Sequence, residues 1–492
     1  MGRVKPPKEC LLTWMHTGAI DCQAFFEKPG IVPTMLDLVR RNVRFFAITV
    51  AAGVILRVLF LIYFPSVVND SFIYGDIAKN WLRHGVYGMS DSGGIVPTYI
   101  RLPGYPAFLA FVFAVFGLEH YRAVLILQLF LDLGTCFLCA SIALRLLGER
   151  SAKVAFLLAA LCPFLANYSG AALTETLEVF FTALAFDSAL RGFANGAMKH
   201  WILCGIACSA ATLIRPDGAM LPFVIVLYGL GRAIFRKGIT TTPAQLVRML
   251  SLVAVITVLP LVPWTIRNWH VFHIFQPLAP RYANQEAEFV PMGFNHWVKT
   301  WIVDYVSTEE VYWGVPGSPM EVKQLPSRAF DNQDQRAETA RLIDDYNQVL
   351  HITPALDQRF EALARERTDA HPLRTHLVLP VLRIVDMWLR PRTEMLPSDS
   401  RWWEFNDEPK WTVLAVSLGA IGLAYWVCGL IGWLRVHPLA GSGPLLLLVA
   451  VRSAFLGTLE NPEPRYTLEM YPILIVFAAA AFVGRQEQSL SP

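Results

Sequence analysis

Residues 45–76 read FFAITVAAGVILRVLFLIYFPSVVNDSFIYGD. A hydrocarbon core takes roughly 20 apolar residues to cross. The run from 45 to 66 meets that need, ends at Pro65, and is followed directly by Asn69-Asp70-Ser71. A single arginine, Arg57, interrupts it, and an ionisable side chain at that depth is costly unless it is paired. The stretch predicts a transmembrane helix that delivers a carboxylate, Asp70, to one membrane surface.

The remainder of the 492 residues follows the same plan. The chain is 54% hydrophobic and only 16% charged, against roughly 25% charged in a soluble domain. A soluble fold of this length would need far more polar surface, so the apolar excess faces lipid. A net charge of +3 argues against a nucleic-acid binder. Of eight cysteines, six lie in apolar runs and two, Cys10 and Cys22, in the polar N-terminal stretch, with none from about 270 to 410. That distribution speaks against a disulfide framework. Cys136 and Cys139 form a CxxC without a second pair, and are read as helix packing.

Ten spans are predicted, near 45–66, 123–147, 154–170, 174–192, 200–215, 217–235, 248–267, 411–434, 443–459 and 466–484. The apolar stretch Gly104 to Leu118 is short, follows a Pro-Gly-Tyr-Pro turn, and is read as re-entrant or interfacial. Counted this way, every inside connection is basic: Arg40, Arg41 and Arg44; Arg145, Arg150 and Lys153; Arg191 and Lys199; Arg232, Arg236, Lys237 and Arg248; Arg435 and Arg485. The excess of Lys and Arg on cytoplasmic loops sets orientation, so both termini are expected inside. The expected architecture is an all-α polytopic membrane protein with juxtamembrane helices. It has a cytoplasmic segment 1–43, a transmembrane core 44–267 with a first outer loop 67–122, an extracytoplasmic loop 268–410, C-terminal helices 411–484 and a tail 485–492. Met35, followed by Leu-Asp-Leu-Val-Arg-Arg, would serve equally well as a start. Residues 1–34 are then either an extension or no part of the native chain.

Arg57 and Asp132 each lie about nine residues from the outer end of their helices, hence at similar depth at about 1.5 Å per residue. They are expected to pair and pin the first two helices. Asp187 and Arg191, spaced i,i+4, are expected to pair locally. The remaining unusual polar residues converge outside: Asp70, Tyr74, Asp76, Arg101, Tyr105, Glu175, Glu178, Arg215, Arg267 and Arg465, with Arg452 in the outer half of the ninth span. Glu178, one turn into a span, must be paired or protonated. Any one outer arginine alone is more often a headgroup anchor; together with the carboxylates they suit an anionic substrate carrying a lipid tail. Trp402, Trp403 and Trp411 are read as interfacial anchors, and His376 to Leu389 as a juxtamembrane helix.

These motifs in this order resemble the C-type (GT-C) glycosyltransferases over about residues 44–484. Asp70, Tyr74, Asp76-Ile-Ala-Lys-Asn-Trp-Leu, Arg101-Leu-Pro-Gly-Tyr-Pro, Leu-Thr-Glu175-Thr-Leu, Leu-Ile-Arg215-Pro-Asp-Gly, Pro-Trp-Thr-Ile-Arg267-Asn and Pro464-Arg-Tyr carry the likeness. The branch it resembles is family 39 together with the aminoarabinose-transferase-like enzymes, whose members use polyprenyl-phosphate sugar donors. The resemblance implies a catalytic acid/base role for Asp70 and a second acidic role for Glu175. Many relatives carry Asp-Glu at the first site, whereas Ser71 follows Asp70 here, so no paired carboxylate is carried over. The function expected is a membrane glycosyltransferase at the outer face of the cytoplasmic membrane, acting on a lipid, glycan or protein acceptor. Arg215, Arg267 and Arg465 are the phosphate ligands expected, with Arg452 a weaker one. A divalent metal is left unassigned, its donors drawn from Asp70, Asp76, Glu175 and one of His84, His270, His273 or His296. The rival reading, a transporter or flippase of a lipid-linked sugar, calls for internal repeats and midplane polar sites; no clear repeat is visible.

Overall fold

A computed structural model describes residues 34–235, 241–404, 408–437, 439 and 441–483. Cys10, Cys22, Arg236, Lys237, Arg485 and all but Thr34 of the segment 1–34 lie outside those residues. In chain order the helices begin α1 (Met35–Arg41), α2 (Val43–Tyr63), α3 (Asn69–His84), α4 (Gly104–Phe116), α5 (Tyr121–Leu147), α6 (Glu149–Ala160), α7 (Pro163–Ser169) and α8 (Glu175–Asn195). They continue with α9 (Met198–Ile214), α10 (Met220–Phe235), α11 (Pro243–Val258), α12 (Leu261–Phe272), α13 (Met292–Lys299) and the one-turn α14 (Tyr305–Ser307). The last are α15 (Gln333–Val349), α16 (Pro354–Ala370), α17 (Leu379–Leu389), α18 (Pro409–Val436), α19 (Gly443–Gly457) and α20 (Tyr471–Ala480). Among the described residues the all-α expectation holds apart from one antiparallel hairpin, β1 (Gly88–Asp91) with β2 (Gly94–Pro97).

Each predicted span falls on helix, but five are long and apolar enough by themselves to cross a membrane: α2, α5, Pro216–Phe235, Pro243–Phe272 and α18. The third predicted span is instead two helices, α6 and α7, bent by 50°. The bend sits where Pro163 removes a backbone donor and clashes with the preceding turn. Proline also sets the break between α11 and α12, at Pro260.

The predicted Arg57–Asp132 pair is present and does more than expected. Arg57 is fully buried, and its Nε donates to Asp132 Oδ2 at 2.7 Å. Its Nη1 donates to the carbonyls of Gly53 (2.9 Å) and Ala160 (2.7 Å). Three helices, α2, α5 and α6, therefore share one guanidinium. Asp187 pairs with Arg191 at 2.7 Å and also with Arg145 at 3.4 Å. Cys136, Cys139, Cys162, Cys204 and Cys208 are free and buried in the main core beside Phe46, Phe156, Phe186 and Trp201, so the CxxC is packing.

Outside the bundle, α3 carries the hairpin. Asp76 accepts from the Ser90 amide (2.6 Å) and hydroxyl (2.8 Å) and pairs with Lys79 at 3.2 Å. Burial opposes ionisation of Asp76, but these donors outweigh it and hold its pKa below the usual carboxylate range. The large outer loop is not simply polar. Phe294, Trp297, Trp301, Tyr346 and Phe360 form a second core among α13, α15 and α16, in which buried Arg367 donates to Thr300 Oγ1, Gln335 Oε1 and the Arg328 carbonyl at 2.9–3.0 Å. The predicted juxtamembrane helix is α17. Its Val381, Leu382, Val385 and Leu389 are exposed, while buried Arg383 donates to the carbonyls of Ile302 (2.8 Å), Gly457 (3.1 Å) and Lys299. That side chain joins the outer subdomain to the end of α19.

Removing one partner of a buried ion pair costs about 3–5 kcal/mol, because the other charge is stranded. Arg57→Met should therefore lower thermal stability in detergent steeply, and adding Asp132→Leu should recover part of the loss. Asp386 offers a pH test at the subdomain seam, where it accepts from the Tyr305 amide at 3.1 Å. Burial pushes its carboxyl up to about 6, against the opposing charge of Arg390. A solvated aspartate ionises near about 3.9, so between about pH 4 and pH 6 the unfolded chain releases a proton that the fold keeps. Stability should fall as pH rises through that window. Asp386→Asn should flatten the trend, read as melting temperature against pH.

Candidate functional site

Two backbone contacts bring the outer ends of α2 and α8 together. The Ser66 amide donates to the Gly170 carbonyl and the Ala172 amide to the Ser66 carbonyl, both at 2.9 Å. This parallel bridge sets Asp70, in the first turn of α3, beside Glu175, in the first turn of α8. Acidic residues suit the positive end of a helix dipole. From the other side, Gly104 lets α4 press against the end of α9: a Cβ there would meet the Leu213 carbonyl oxygen at 2.6 Å. The end of α9 is where Arg215 emerges. Gly218 is equally constrained, with a Cβ 2.4 Å from the Ala211 oxygen. The glycines of the Pro-Gly-Tyr-Pro and Arg-Pro-Asp-Gly motifs are thus positions of close backbone approach.

Arg465 sits between the two acids, with Nη1 3.5 Å from Asp70 Oδ2 and 3.8 Å from Glu175 Oε1. Arg101 Nη2 donates to Asp70 Oδ1 at 3.2 Å and lies over the Tyr74 ring at 5.6 Å. Arg215 reaches Glu175 and Glu178, each at 3.4 Å, and Asp217 at 3.2 Å. Arg452, 1% exposed, donates to Asp217 Oδ2 at 3.0 Å and to Glu469. Tyr466 joins the two halves: both Arg215 (5.1 Å) and Arg465 (5.5 Å) lie over its ring, and its hydroxyl donates to Glu463. Burial raises the Glu463 carboxyl, against the lowering effect of Arg465, which pairs with it at 2.5 Å.

The predicted site residues therefore divide. Asp70, Tyr74, Arg101, Glu175, Glu178, Arg215 and Arg465 form one continuous network, and Arg452, named as a weaker candidate, is at its centre. Tyr105 lies behind it. Its ring meets Tyr74 edge-on at 5.1 Å and its hydroxyl donates to Gln128 Oε1 at 2.9 Å. Asp76 is turned away to hold the hairpin. Arg267 is placed elsewhere too: it donates to the Tyr87 carbonyl (2.8 Å) and the Thr98 carbonyl (2.7 Å), flanked by the rings of Tyr87, Trp264 and Phe272. It braces the two ends of the hairpin against α12.

Sequence reasoning passed over Glu463, Arg392 and Glu394. Arg392 donates to the Pro464 carbonyl (2.7 Å), to Tyr471 Oη (3.0 Å) and to Thr467, so it holds the turn that carries Arg465. Glu394 accepts from Tyr168 Oη at 3.0 Å. The only signal was a dense Arg390-Pro391-Arg392 run just after α17.

Glu178, Asp217 and Glu469 place carboxylate oxygens within 4.8 Å of one another, the arrangement a divalent cation needs. Arg452 answers that need differently, because its Nη2 already holds Asp217 and Glu469. Glu178 Oε1 is buried without a hydrogen-bond donor, 3.8 Å from the same nitrogen. The donor set fits an arginine better than a metal. Of the histidines considered as ligands, His296 pairs with Glu361 in the outer subdomain at 2.6 Å.

Residues 98–264 match the family described as dolichyl-phosphate-mannose-protein mannosyltransferase. The match bears out the GT-C resemblance. It takes in Arg101, Glu175, Glu178 and Arg215, while Asp70, Arg452 and Arg465 lie beyond it. No curated protein matches the chain. Among solved structures, the Archaeoglobus fulgidus oligosaccharyltransferase tethered with an acceptor peptide is similar at 13% identity and a TM-score of 0.48, covering 89% of this chain and 49% of that one. The chain thus spans about half the length of that enzyme. ArnT from Cupriavidus metallidurans is similar in its apo state (15% identity, TM-score 0.38, 90% and 78% covered) and bound to undecaprenyl phosphate (13%, 0.37, 90% and 77%).

Arg452→Ala would leave Glu178, Asp217 and Glu469 facing one another without a cation. Loss of about 3–5 kcal/mol is expected for a buried pair broken on one side. The melting temperature in detergent should fall steeply, with Arg452→Lys intermediate because a single ammonium cannot reproduce the guanidinium fork.

Proposed function

We propose that the chain is a glycosyltransferase that moves a sugar from a polyprenyl phosphate to an acceptor hydroxyl or amine at the outer face of the cytoplasmic membrane. Both termini then lie inside and ten helical passes cross the bilayer. The carrying observation is the single guanidinium of Arg465 shared between Asp70 and Glu175, flanked by Arg101 and Arg215 at the end of an apolar helical body. The matched family's description names a polyprenyl-phosphate sugar donor, which supports the donor class.

A phosphate entering this network competes with carboxylates for arginines. Arg215 and Arg465 would turn from Glu175 and Asp70 toward the phosphate oxygens, which suit the guanidinium fork. That exchange frees Asp70, a third exposed at its side chain, to act as general base. The acceptor O–H or N–H gives its proton to the Asp70 carboxylate, and its lone pair forms a bond to the anomeric carbon. The bond from that carbon to the phosphate oxygen breaks, with its electron pair leaving on the phosphate. One direct displacement inverts the anomeric centre. Glu175 orients the acceptor, and Tyr74 and Arg101 position Asp70. The acceptor class is a lipid, a glycan or a protein side chain.

General-base catalysis contributes typically 10²–10⁴-fold. In a transfer assay over a panel of polyprenyl-phosphate sugars, Asp70→Asn should lose at least about a hundredfold in rate, and Arg465→Gln should mainly raise the KM for donor. Full activity of Asp70→Asn would sink the base assignment. Retention of the donor's anomeric configuration would sink direct displacement.

A further inference from the structure

The outer subdomain and the segment that leads into α18 enclose a cavity of about 490 Å³. Asp304 and Ser307 at α14, Glu310 and Arg328 from the chain beyond it, and Arg401 and Trp403 just before α18 all line it. Its guanidinia are met by its carboxylates. Arg401 Nε and Nη2 donate to the two Glu310 oxygens at 2.6 and 2.7 Å. Arg328 donates to Asp304 and, at 3.2 Å, to Ser307 Oγ. Lys323, exposed, is the remaining charge of the lining. Trp403 is 44% exposed, although the Arg390 guanidinium lies over its ring at 5.8 Å and the Trp402 ring meets it edge-on at 5.7 Å.

Such a lining discriminates among ligands. An anion would have to take an arginine from Glu310 or Asp304 and would then face the carboxylate it displaced. A cation would meet the two guanidinia. A hydroxyl both donates and accepts, a guanidinium carries more N–H donors than one carboxylate takes up, and a carboxylate has lone pairs beyond those a single arginine fills. Hydroxyls can therefore bridge each ion pair without breaking it. The exposed indole adds an apolar platform for the C–H face of a sugar ring.

The cavity is also tied to the carboxylate–arginine network. Arg390, over the rings of both Tyr305 (5.3 Å) and Trp403, stands two residues before Arg392. The latter holds the turn of Arg465 through the Pro464 carbonyl at 2.7 Å. Two residues of extended backbone cover about 7 Å. Burial raises the Tyr305 hydroxyl, and Glu394, Glu463 and Arg465 are among the charges that act on it.

We propose that this cavity is a carbohydrate subsite that takes a neutral saccharide of the acceptor, with one ring on Trp403 and its hydroxyls bridging the Arg401–Glu310 and Arg328–Asp304 pairs. That the saccharide is an acceptor rests on the transferase reading; that the cavity holds one does not.

A binding measurement that needs no turnover tests it: thermophoresis of the full chain in lipid nanodiscs, free of glycosidic detergent, with neutral oligosaccharides of glucose, mannose, galactose and N-acetylglucosamine. Wild type should bind at least one of them. Trp403→Ala should weaken that binding at least about tenfold, and Trp403→Phe should recover part of it. Trp411→Ala, outside the cavity, should leave it unchanged. Gln324→Trp, an exposed change in the lining, should block binding without opening a core, and it decides the matter if Trp403→Ala melts early. Where transfer is measured, Trp403→Ala should raise the KM for a saccharide acceptor and leave the KM for donor unchanged. No binding by wild type, undiminished binding by Gln324→Trp, or an equal loss with Trp411→Ala would overturn the subsite. Displacement by millimolar inorganic phosphate would overturn a neutral saccharide as its occupant. Saccharide binding without transfer from any donor would support the subsite and remove the acceptor role.

Discussion

A charge carried into a bilayer has to be matched inside the protein, and the architecture of this chain follows from how its buried arginines meet that condition. Arg57 draws on Asp132 and on backbone carbonyls of α2 and α6. Arg383 has no carboxylate within pairing distance among the described residues and is met by three carbonyls at helix and turn ends. Arg392 uses a carbonyl and two hydroxyls. In each case the guanidinium fork reaches several acceptors at once, and for Arg57 and Arg383 these include the carbonyls of Ala160, Gly457 and Lys299 at helix C-termini, where the last carbonyls lack intrahelical partners.

The same rule gives the outer network its chemistry. Six carboxylates (Asp70, Glu175, Glu178, Asp217, Glu463, Glu469) face four guanidinia (Arg101, Arg215, Arg452, Arg465), and Arg215, Arg452 and Arg465 are each shared among several of them while Arg101 meets Asp70. The inner half, around Arg452, is closed and buried. The outer half, around Asp70, keeps longer contacts and partial exposure. A network with a tight inner half and a looser outer half can rearrange its arginine contacts around Asp70 without coming apart.

What could be read beforehand separates by the range of the physics involved. Arg57 and Asp132 were legible because helix rise alone places them at equal depth. The convergence of Asp70, Glu175, Arg215 and Arg465 was legible from their place at the same end of the predicted spans. Arg267 looked the same as those arginines in sequence, yet it braces a hairpin whose strands, Gly88–Asp91 and Gly94–Pro97, are too short to announce themselves by alternation. The outer subdomain was hidden for a related reason. Its core residues Trp297, Tyr346 and Phe360 are spread over three amphipathic helices in a polar stretch, and only tertiary contact unites them. Arg392 and Glu394 could not be placed, since nothing local says that a segment after α17 returns to grip Pro464. The bend at Pro163 was available in the sequence and was outweighed by the continuity of the apolar run.

The bridge between Ser66 and Ala171 has an evolutionary consequence. The spacing of the two outer carboxylates is held by amide and carbonyl groups, which every residue type except proline supplies alike. Neighbouring side chains can therefore change identity in the course of evolution without moving Asp70 relative to Glu175.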